Sequence, residues 1–204
     1  VRPVLVLTDD DNAANRFAAD LRGFSERDVV QLPSRELVMA DVVGVSRGYE
    51  QRRLAALDEL TEAHFAVASV QAAAQRTMPP EALKAAIVSL ATGETAPLDE
   101  LAQSLTRAGY ERCVQVEGTG QFSIRGGILD VFPPQAEHPY RVEFWDDEID
   151  SISTFDVGSQ RRLEQCECLR CLPCMESIPA LAKGGAAGLA KAVLALTSTR
   201  RKKQ

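Results

Sequence analysis

Four cysteines near the end of the chain have a spacing that could hold a metal ion. They are Cys166, Cys168, Cys171 and Cys174, in the pattern C-x-C-x2-C-x2-C. Thiolates at such spacings bind zinc or iron–sulfur clusters. The stretch is also typical of a strand entering a turn, in which Cys166 and Cys168 share a face and pack as small hydrophobic residues. A metal-binding, nucleic-acid-associated domain therefore stays open as an alternative, and we expect reduced thiols without a bound metal.

An acidic run could serve phosphate chemistry. The letters of Asp147-Glu148-Ile149-Asp150 match a helicase Asp-Glu-x-Asp box. Such a box holds Mg²⁺ against phosphates that a phosphate loop already cradles. That loop needs a Gly-Lys pair, and the chain contains none. We therefore expect the run to be the acidic turn of a hairpin, with no catalytic residue and no cofactor in this chain.

Residues 121–155 alternate apolar and polar side chains through short segments closed by Gly, Pro or acidic pairs. This pattern predicts an antiparallel β-meander with one solvated face. A period of two divides residues 140–145 into an inner set, Tyr140, Val142 and Phe144, and an outer set, Arg141, Glu143 and Trp145.

The preceding segments are predicted to add to both faces of this meander. Their inner residues are Phe122, Ile124, Leu129 and Val131, and their outer ones are Ser123, Arg125, Ile128, Asp130 and Phe132. Two arginines and an indole would then share one exposed patch. Because Arg and Trp are enriched at the energetic centres of protein interfaces, the patch is a candidate docking surface, although an ordinary solvated sheet face remains the alternative.

The elements around the meander predict a mixed α/β protein. Strands at 4–7, 29–32 and 65–70 alternate with helices, the first of which has Ala14, Phe17, Ala18 and Leu21 on one stripe. This order favours a parallel sheet of the nucleotide-binding type, in degenerate form. An inserted α+β domain follows, in which a helix with Leu98, Leu101 and Leu105 on its buried stripe packs on the meander. A helix over about 180–196 and a solvated basic tail at 200–203 end the chain.

Composition limits the class of protein. The chain has 204 residues, 45% of them hydrophobic, and a formal net charge of −6. This charge argues against the whole chain being a DNA-binding surface, since phosphate neutralisation needs clustered Lys and Arg. There is neither a run of about 20 apolar residues nor a signal-peptide pattern, so we expect a cytoplasmic location and no contact with membranes.

The sequence resembles a known family over nearly its whole length. Residues 109–161, GYERCVQVEGTGQFSIRGGILDVFPP…PYRVEFWDDEIDSISTFDVGSQR, resemble the UvrB-like domain 2 of the bacterial transcription-repair coupling factor (Mfd) family. Residues 32–57 and 168–179 resemble the flanking segments of that family. A fragment of the damage-verifying protein UvrB is the alternative, but this chain lacks UvrB's tyrosine-rich hairpin.

The resemblance implies three domains and a set of contact residues. Residues 1–78 would be a partial UvrB-like domain 1a without a phosphate loop, 79–165 the UvrA-binding domain 2, and 166–204 the start of domain 1b. The family's binding arginines fall on Arg125 and Arg141, and its aromatic contact, usually Phe, falls on Trp145. Asp130, Glu143 and Asp146 are weaker candidates for a polar rim.

The resemblance also implies a role without catalysis. The chain would recruit UvrA to excision repair at stalled RNA polymerase. The ATP-driven motor and the polymerase-binding domain would lie elsewhere in the parent protein, whose C-terminal domain would mask the UvrA face at rest. No direct nucleic-acid binding is expected of this chain. The Cys positions depart from the family's usual pattern, and the resemblance implies no metal there.

Overall fold

A computed structural model describes residues 3–35, 48–60, 62–176 and 183–201. Its first part contains, in order, β1 (Val4–Thr8), α1 (Asp11–Phe24), β2 (Val29–Leu32), α2 (Gly48–Glu59), β3 (Phe65–Ser69) and α3 (Val70–Ala74). The three strands form a parallel sheet with β3 between β1 and β2. The predicted alternation of strands and helices around a parallel sheet is therefore confirmed.

Helix α1 covers one face of this sheet through two of its alanines. Ala14 and Ala18 are fully buried against Val29 and Val67. The prediction that Phe17 belongs to the same buried stripe is wrong, because its side chain is 44% exposed. The alanines make the close approach to the sheet, which leaves Phe17 at the margin of the contact.

The second part is built on an antiparallel meander. Its elements are α4 (Pro80–Ala86), β4 (Val88–Ala91), α5 (Leu98–Arg107), β5 (Glu111–Arg112), β6 (Gln121–Arg125), β7 (Ile128–Val131), β8 (Tyr140–Trp145), β9 (Glu148–Phe155), β10 (Arg162–Cys166) and β11 (Cys168–Cys171). Strands β5 to β10 form one sheet in the order β10-β9-β8-β7-β6-β5, antiparallel except between β5 and β6. Strands β4 and β11 pair antiparallel in a separate sheet.

Helix α5 packs on the inner face of the meander, as predicted. Leu101 and Leu105 lie in one buried cluster with Phe122, Leu129, Val131 and Val142 of the sheet. The remaining predicted inner residues, Ile124, Tyr140 and Phe144, are partly buried against the same cluster. The helix ends where Gly109 adopts a φ of +92°, a conformation that residues with a Cβ rarely take.

Two sequence predictions near the C-terminal end need correction. Cys166 ends β10 and Cys168 begins β11, so these two residues lie in different sheets and do not share a strand face. The final helix, α6 (Gly185–Arg201), continues beyond residue 196 and includes the first two residues of the predicted basic tail. Residues 180–182, where we predicted that helix to begin, and 202–204 lie outside the described residues. No helix in the described ranges is long and apolar enough to cross a membrane.

Candidate functional site

The register of the meander places the candidate residues in two rows on its outer face. Ser123 pairs with Asp130, Asp130 with Arg141, and Arg141 with Ser153. The next row contains Arg125, Ile128, Glu143 and Ser151. Because side chains alternate along a strand, both rows project to the side opposite the α5 core. The predicted division into two faces is confirmed for these strand residues, but the expectation that Ser123 lies on a solvated face is wrong, because it is 1% exposed.

Two tight hairpins lie side by side at one end of the sheet. Gly126 and Gly127 connect Arg125 to its partner Ile128, and the amide of Phe144 donates a hydrogen bond of 2.8 Å to the carbonyl of Gly127. A Cβ at Gly127 would lie 3.0 Å from the carbonyl oxygen of Phe144. Glycine therefore lets the first hairpin approach β8 immediately before Trp145.

Trp145 is the last residue of β8 and projects from this end of the sheet. Trp145 lies opposite Glu148 in the register of the hairpin and is 83% exposed. The two-residue turn that follows begins with Asp146, whose φ is +58°. The acidic run 147–150 thus forms part of a hairpin, as predicted, and Asp146 is exposed at its tip. An indole left in solvent offers a large apolar area with one directional donor.

Asp130 does not lie at a polar rim. The residue is 1% exposed, so the expectation that it turns outward into solvent is wrong. Its Oδ2 accepts 2.8 Å bonds from Arg125 Nη2 and Arg141 Nη2, and its Oδ1 accepts a 2.7 Å bond from Arg141 Nε. The two arginine side chains cover the shorter carboxylate, which neutralises part of their charge.

Arg141 is also less accessible than the sequence predicts. Its side chain is 18% exposed, and its guanidinium lies 4.5 Å from the ring centroid of Phe155. It donates to the backbone carbonyl of Gln160 at 3.4 Å and to the Gln160 side-chain oxygen at 3.2 Å. The hydrogen bond that Arg141 donates to Asp130 raises the pKa of Arg141. Because its guanidinium is bound within the chain in this way, we expect truncation of Arg141 to affect the fold as well as binding.

Arg125 is the accessible member of the arginine pair. Its side chain is 50% exposed and contacts Asp130 through a single nitrogen, Nη2. Among the described residues, its Nε and Nη1 have no acceptor. Arg125 therefore keeps donors for a partner molecule, next to the hairpin end that displays Trp145.

Glu143 is held by partners within the chain. Its carboxylate accepts a 2.7 Å bond from Arg162 Nη2 and a 3.0 Å bond from the hydroxyl of Ser151. The bond from Arg162 is the main cause that lowers the pKa of Glu143. The side chain is 35% exposed, so Glu143 lies at the edge of the candidate surface and remains partly accessible.

The cysteine pattern is not assembled into a site by the fold. Cys171 and Cys174 are buried, Cys166 is intermediate and Cys168 is exposed. Within the described ranges, no group of three or more His, Cys, Asp or Glu residues is placed to hold a metal ion. Burial raises the pKa of Cys171 to about 12, so this thiol stays protonated at neutral pH.

Sequence analysis missed two residues that shape this surface. Phe155 supports the Arg141 guanidinium from β9, and Gln160 holds it from the following loop. The alternation of side chains along a strand identifies the face on which a residue lies, but it does not identify a loop that covers that face. The only available signal for Gln160 was its place in a short polar loop after β9.

Residues 88–176 match the model of the UvrB interaction domain. These residues belong to the UvrB interaction domain family. Of the candidate positions, Arg125, Asp130, Arg141, Glu143, Trp145 and Asp146 all lie inside the matched UvrB interaction domain.

Relatives extend the similarity beyond the UvrB interaction domain. The chain is 35% identical over 181 residues to the transcription-repair-coupling factor of Bacillus subtilis (strain 168), covering 87% of this chain and 15% of the relative. It is 33% identical over 176 residues to that of Escherichia coli (strain K12), covering 85% and 15% respectively. It is 37% identical over 175 residues to that of Mycobacterium tuberculosis, covering 81% and 14%.

These identities confirm the predicted resemblance to the coupling factors. The chain spans about 15% of the length of the first two of these relatives, so the similarity concerns one region of much longer proteins. The relatives favour a coupling factor over the alternative of a UvrB fragment.

Proposed function

We propose that this chain is the part of a bacterial transcription-repair coupling factor that recruits UvrA. The observation that carries the proposal is Trp145, an indole that is 83% exposed at a hairpin end within the UvrB interaction domain. Large exposed aromatic side chains are costly in water and are typical centres of binding energy when a partner covers them.

Arg125 completes this binding surface. Its guanidinium is half exposed and is oriented by a carboxylate beneath it. Once a partner covers Trp145 and excludes water, a charge-assisted hydrogen bond to Arg125 becomes stronger and more directional. The surface thus combines an apolar anchor with one polar contact that fixes orientation.

The proposed role is binding without catalysis. The Asp-Glu-x-Asp letters lie in a hairpin and the chain has no Gly-Lys pair, so the residues support neither a magnesium site nor a phosphate loop. The parallel sheet would be a degenerate nucleotide fold, domain 1a at residues 1–78, with domain 2 at 79–165 and the start of domain 1b at 166–204. These residues would act in the bacterial cytoplasm.

The rest of the coupling factor would supply the other activities. Domains beyond this chain would bind RNA polymerase and use ATP to move it, and the C-terminal domain would cover the UvrA face at rest. Recruitment would then depend on exposure of Trp145 after the factor engages a stalled polymerase.

Competition with UvrB tests this role. Labelled chain is titrated with UvrA, and unlabelled UvrB is then added while the anisotropy of the chain is followed. We expect saturable binding that UvrB reverses, because both proteins would dock on one surface of UvrA. The Trp145→Ala variant should fail to bind, whereas Phe24→Ala, which removes an aromatic side chain that is 92% exposed in α1, should bind normally.

Two results would contradict the proposal. One is a folded chain that shows no binding to UvrA at micromolar concentration. The other is binding that UvrB leaves unchanged and that Trp145→Ala does not weaken, which would place the contact away from the hairpin end.

A further inference from the structure

We infer that the edge of the parallel sheet along β2 is a second docking site, which takes an extended basic segment of another protein as an added β-strand. This site is separate from the meander, and the inference goes beyond the proposed binding of UvrA. Strand β2 is an edge strand, because its only neighbour in the described ranges is β3. The backbone groups along such an edge can pair with another chain.

Two residues of β2 direct their backbone groups away from β3. The residues of a strand in a parallel ladder face the neighbouring strand alternately. The amide of Phe65 in β3 donates a 3.1 Å bond to the carbonyl of Asp28, which fixes the phase of this alternation. Val29 and Gln31 therefore direct their amide and carbonyl groups to the outer edge. Arg22 agrees with this phase, since its Nε and Nη2 donate to the carbonyl of Val29 at 3.3 and 3.0 Å.

Two helices on opposite faces of the sheet make this edge a groove. Helix α1 packs on the face that contains Val29, and α2 packs on the face that contains Val30. Two cavities, of about 740 and about 480 Å³, lie along β2, and residues of both helices line each of them. The cavities adjoin at Arg22, Val30 and Glu59, which line both. A groove that follows a strand between two helices suits an extended chain.

The side chain of Gln31 adds a recognition group to this groove. Its Nε2 is buried and has no hydrogen-bond partner in the described part of the chain. A buried amide donor without an acceptor is costly, and an acceptor from a bound segment would remove that cost. Gln31 lines the smaller cavity together with Asn12 and Asn15 of α1. Carboxamides both donate and accept, so they can bond to the main chain of a peptide.

The end of α2 indicates that the added strand carries a positive charge. Its last turn contains Asp58 and Glu59 and no basic residue, although the carboxyl end of a helix favours cations. Arg170 pairs with Asp58, whereas Glu59 and Glu62 are exposed and have no ion-pair partner among the residues that the structure describes. Both glutamates line the larger cavity. A Lys or Arg of the added strand would contact these two carboxylates.

Basic residues of the groove lie on other elements and leave this wall acidic. Arg27 and Lys84 line the larger cavity from the loop before β2 and from α4. Arg22 is exposed, so its side chain can move into solvent when an amide of the added strand takes its place at the carbonyl of Val29. Covering part of an edge in this way protects it against unspecific pairing.

An NMR titration with a synthetic strand tests the site. The chain, labelled with nitrogen-15, is titrated with the capped hexapeptide Thr-Val-Lys-Val-Lys-Thr, and separately with the same peptide N-methylated at its four central residues. We expect a dissociation constant of about 1 mM or tighter for the first peptide, the largest shifts at the amides of Val29 and Gln31, and binding of the N-methylated peptide at least about tenfold weaker, because main-chain bonds supply the affinity. Equal binding of the two peptides, or no binding by the folded chain, would overturn the inference.

Variants of the chain locate the contact. Gln31→Pro removes an amide that does not pair with β3, so the sheet should persist while peptide binding weakens at least about tenfold. Glu59→Lys should weaken binding several-fold, whereas Glu100→Lys, the same exchange at an exposed position of α5, should not. Equal affinities of the two lysine variants, or wild-type affinity for a folded Gln31→Pro, would overturn the inference. The lysine variants and the N-methylated peptide keep it falsifiable if Gln31→Pro does not fold.

The oligomeric state separates a strand of another protein from a second copy of this chain. Sedimentation of the wild-type chain over a range of concentrations should show a monomer. A dimer that Gln31→Pro abolishes would overturn the inference, because a second copy would then occupy the edge. UvrA takes no part in these experiments, so failure of the recruitment role would leave their results unaffected.

Discussion

The side chain of Arg53 is fully buried, and its Nε lies 3.2 Å from Oε2 of Glu176, which is 1% exposed. The same carboxylate also pairs with Arg35 at 2.7 Å. Arg53 further donates to the carbonyl of Ala72 at 3.5 Å. Because Arg53 belongs to α2 and Glu176 follows β11, this pair joins the parallel-sheet part of the chain to the end of the meander part.

Removing Glu176 should therefore destabilise the chain strongly. In Glu176→Ala, Arg53 would keep a buried charge without its carboxylate, and we expect a loss of about 3 kcal/mol in the free energy of unfolding. Chemical denaturation followed by circular dichroism measures this loss. The control is Arg162→Ala, which breaks a pair whose side chains are 48% and 35% exposed and should cost no more than about 1 kcal/mol. Equal losses in the free energy of unfolding would show that the buried Glu176 pair stabilises the chain no more than the exposed Arg162 pair does.

Replacing each of the two candidate arginines should lower the stability of the chain by a different amount. Arg141→Ala leaves the buried Asp130 carboxylate with one arginine and removes the group stacked on Phe155, so we expect a loss of about 2–3 kcal/mol. Arg125→Ala removes a half-exposed side chain and should cost less than about 1 kcal/mol. Urea titrations of both variants test this order, and a larger loss for Arg125→Ala would contradict the stronger binding of Arg141 within the chain.

Gly127 should be sensitive to the addition of one methyl group. Its Cβ would lie 3.0 Å from the carbonyl oxygen of Phe144, and a shift of this backbone would disturb the hydrogen bond that the Phe144 amide donates to Gly127. We expect Gly127→Ala to lower the free energy of unfolding by about 1–2 kcal/mol. Gly118→Ala is the matched control, because its Cβ would meet nothing within 4 Å. A thermal unfolding temperature for Gly127→Ala as high as that of Gly118→Ala would refute the tight approach of the two hairpins.

The cysteines should react in an order set by burial. Cys168 is exposed and should be modified first by a thiol reagent at neutral pH. Burial raises the pKa of Cys171 to about 12, so its thiolate is scarce and its sulfur is shielded until the chain unfolds. Mass spectrometry of peptides after timed labelling in native buffer and in denaturant measures the order. Native labelling of Cys171 at the rate of Cys168 would show that the β4–β11 sheet opens readily.

The sequence predicted the faces of the meander because a half-buried antiparallel sheet has a period of two. Phe122, Leu129, Val131 and Val142 were assigned to the core on this basis, and all four are fully buried. The stripe of helix α5 was predictable for a similar reason, since residues spaced by three or four lie on one face of a helix.

Periodicity did not reveal the environment of the polar residues. Asp130 and Arg141 lie on the predicted outer face, but they are covered by each other, by Phe155 and by the loop that contains Gln160. Those contacts join residues 11 to 19 positions apart, and no local pattern encodes them. The spacing of the cysteines was equally uninformative. Strand β10 ends at Cys166 and β11 begins at Cys168, so these two residues lie in different sheets.

Calorimetric titration of UvrA with the wild-type chain, Trp145→Ala and Phe24→Ala tests the central claim most directly. We predict measurable binding by the wild-type chain, unchanged binding by Phe24→Ala, and a loss of about 2 kcal/mol or more for Trp145→Ala without a change in thermal stability. Equal affinities of Trp145→Ala and the wild-type chain, with both proteins folded, would contradict the account and remove the hairpin end from the UvrA contact.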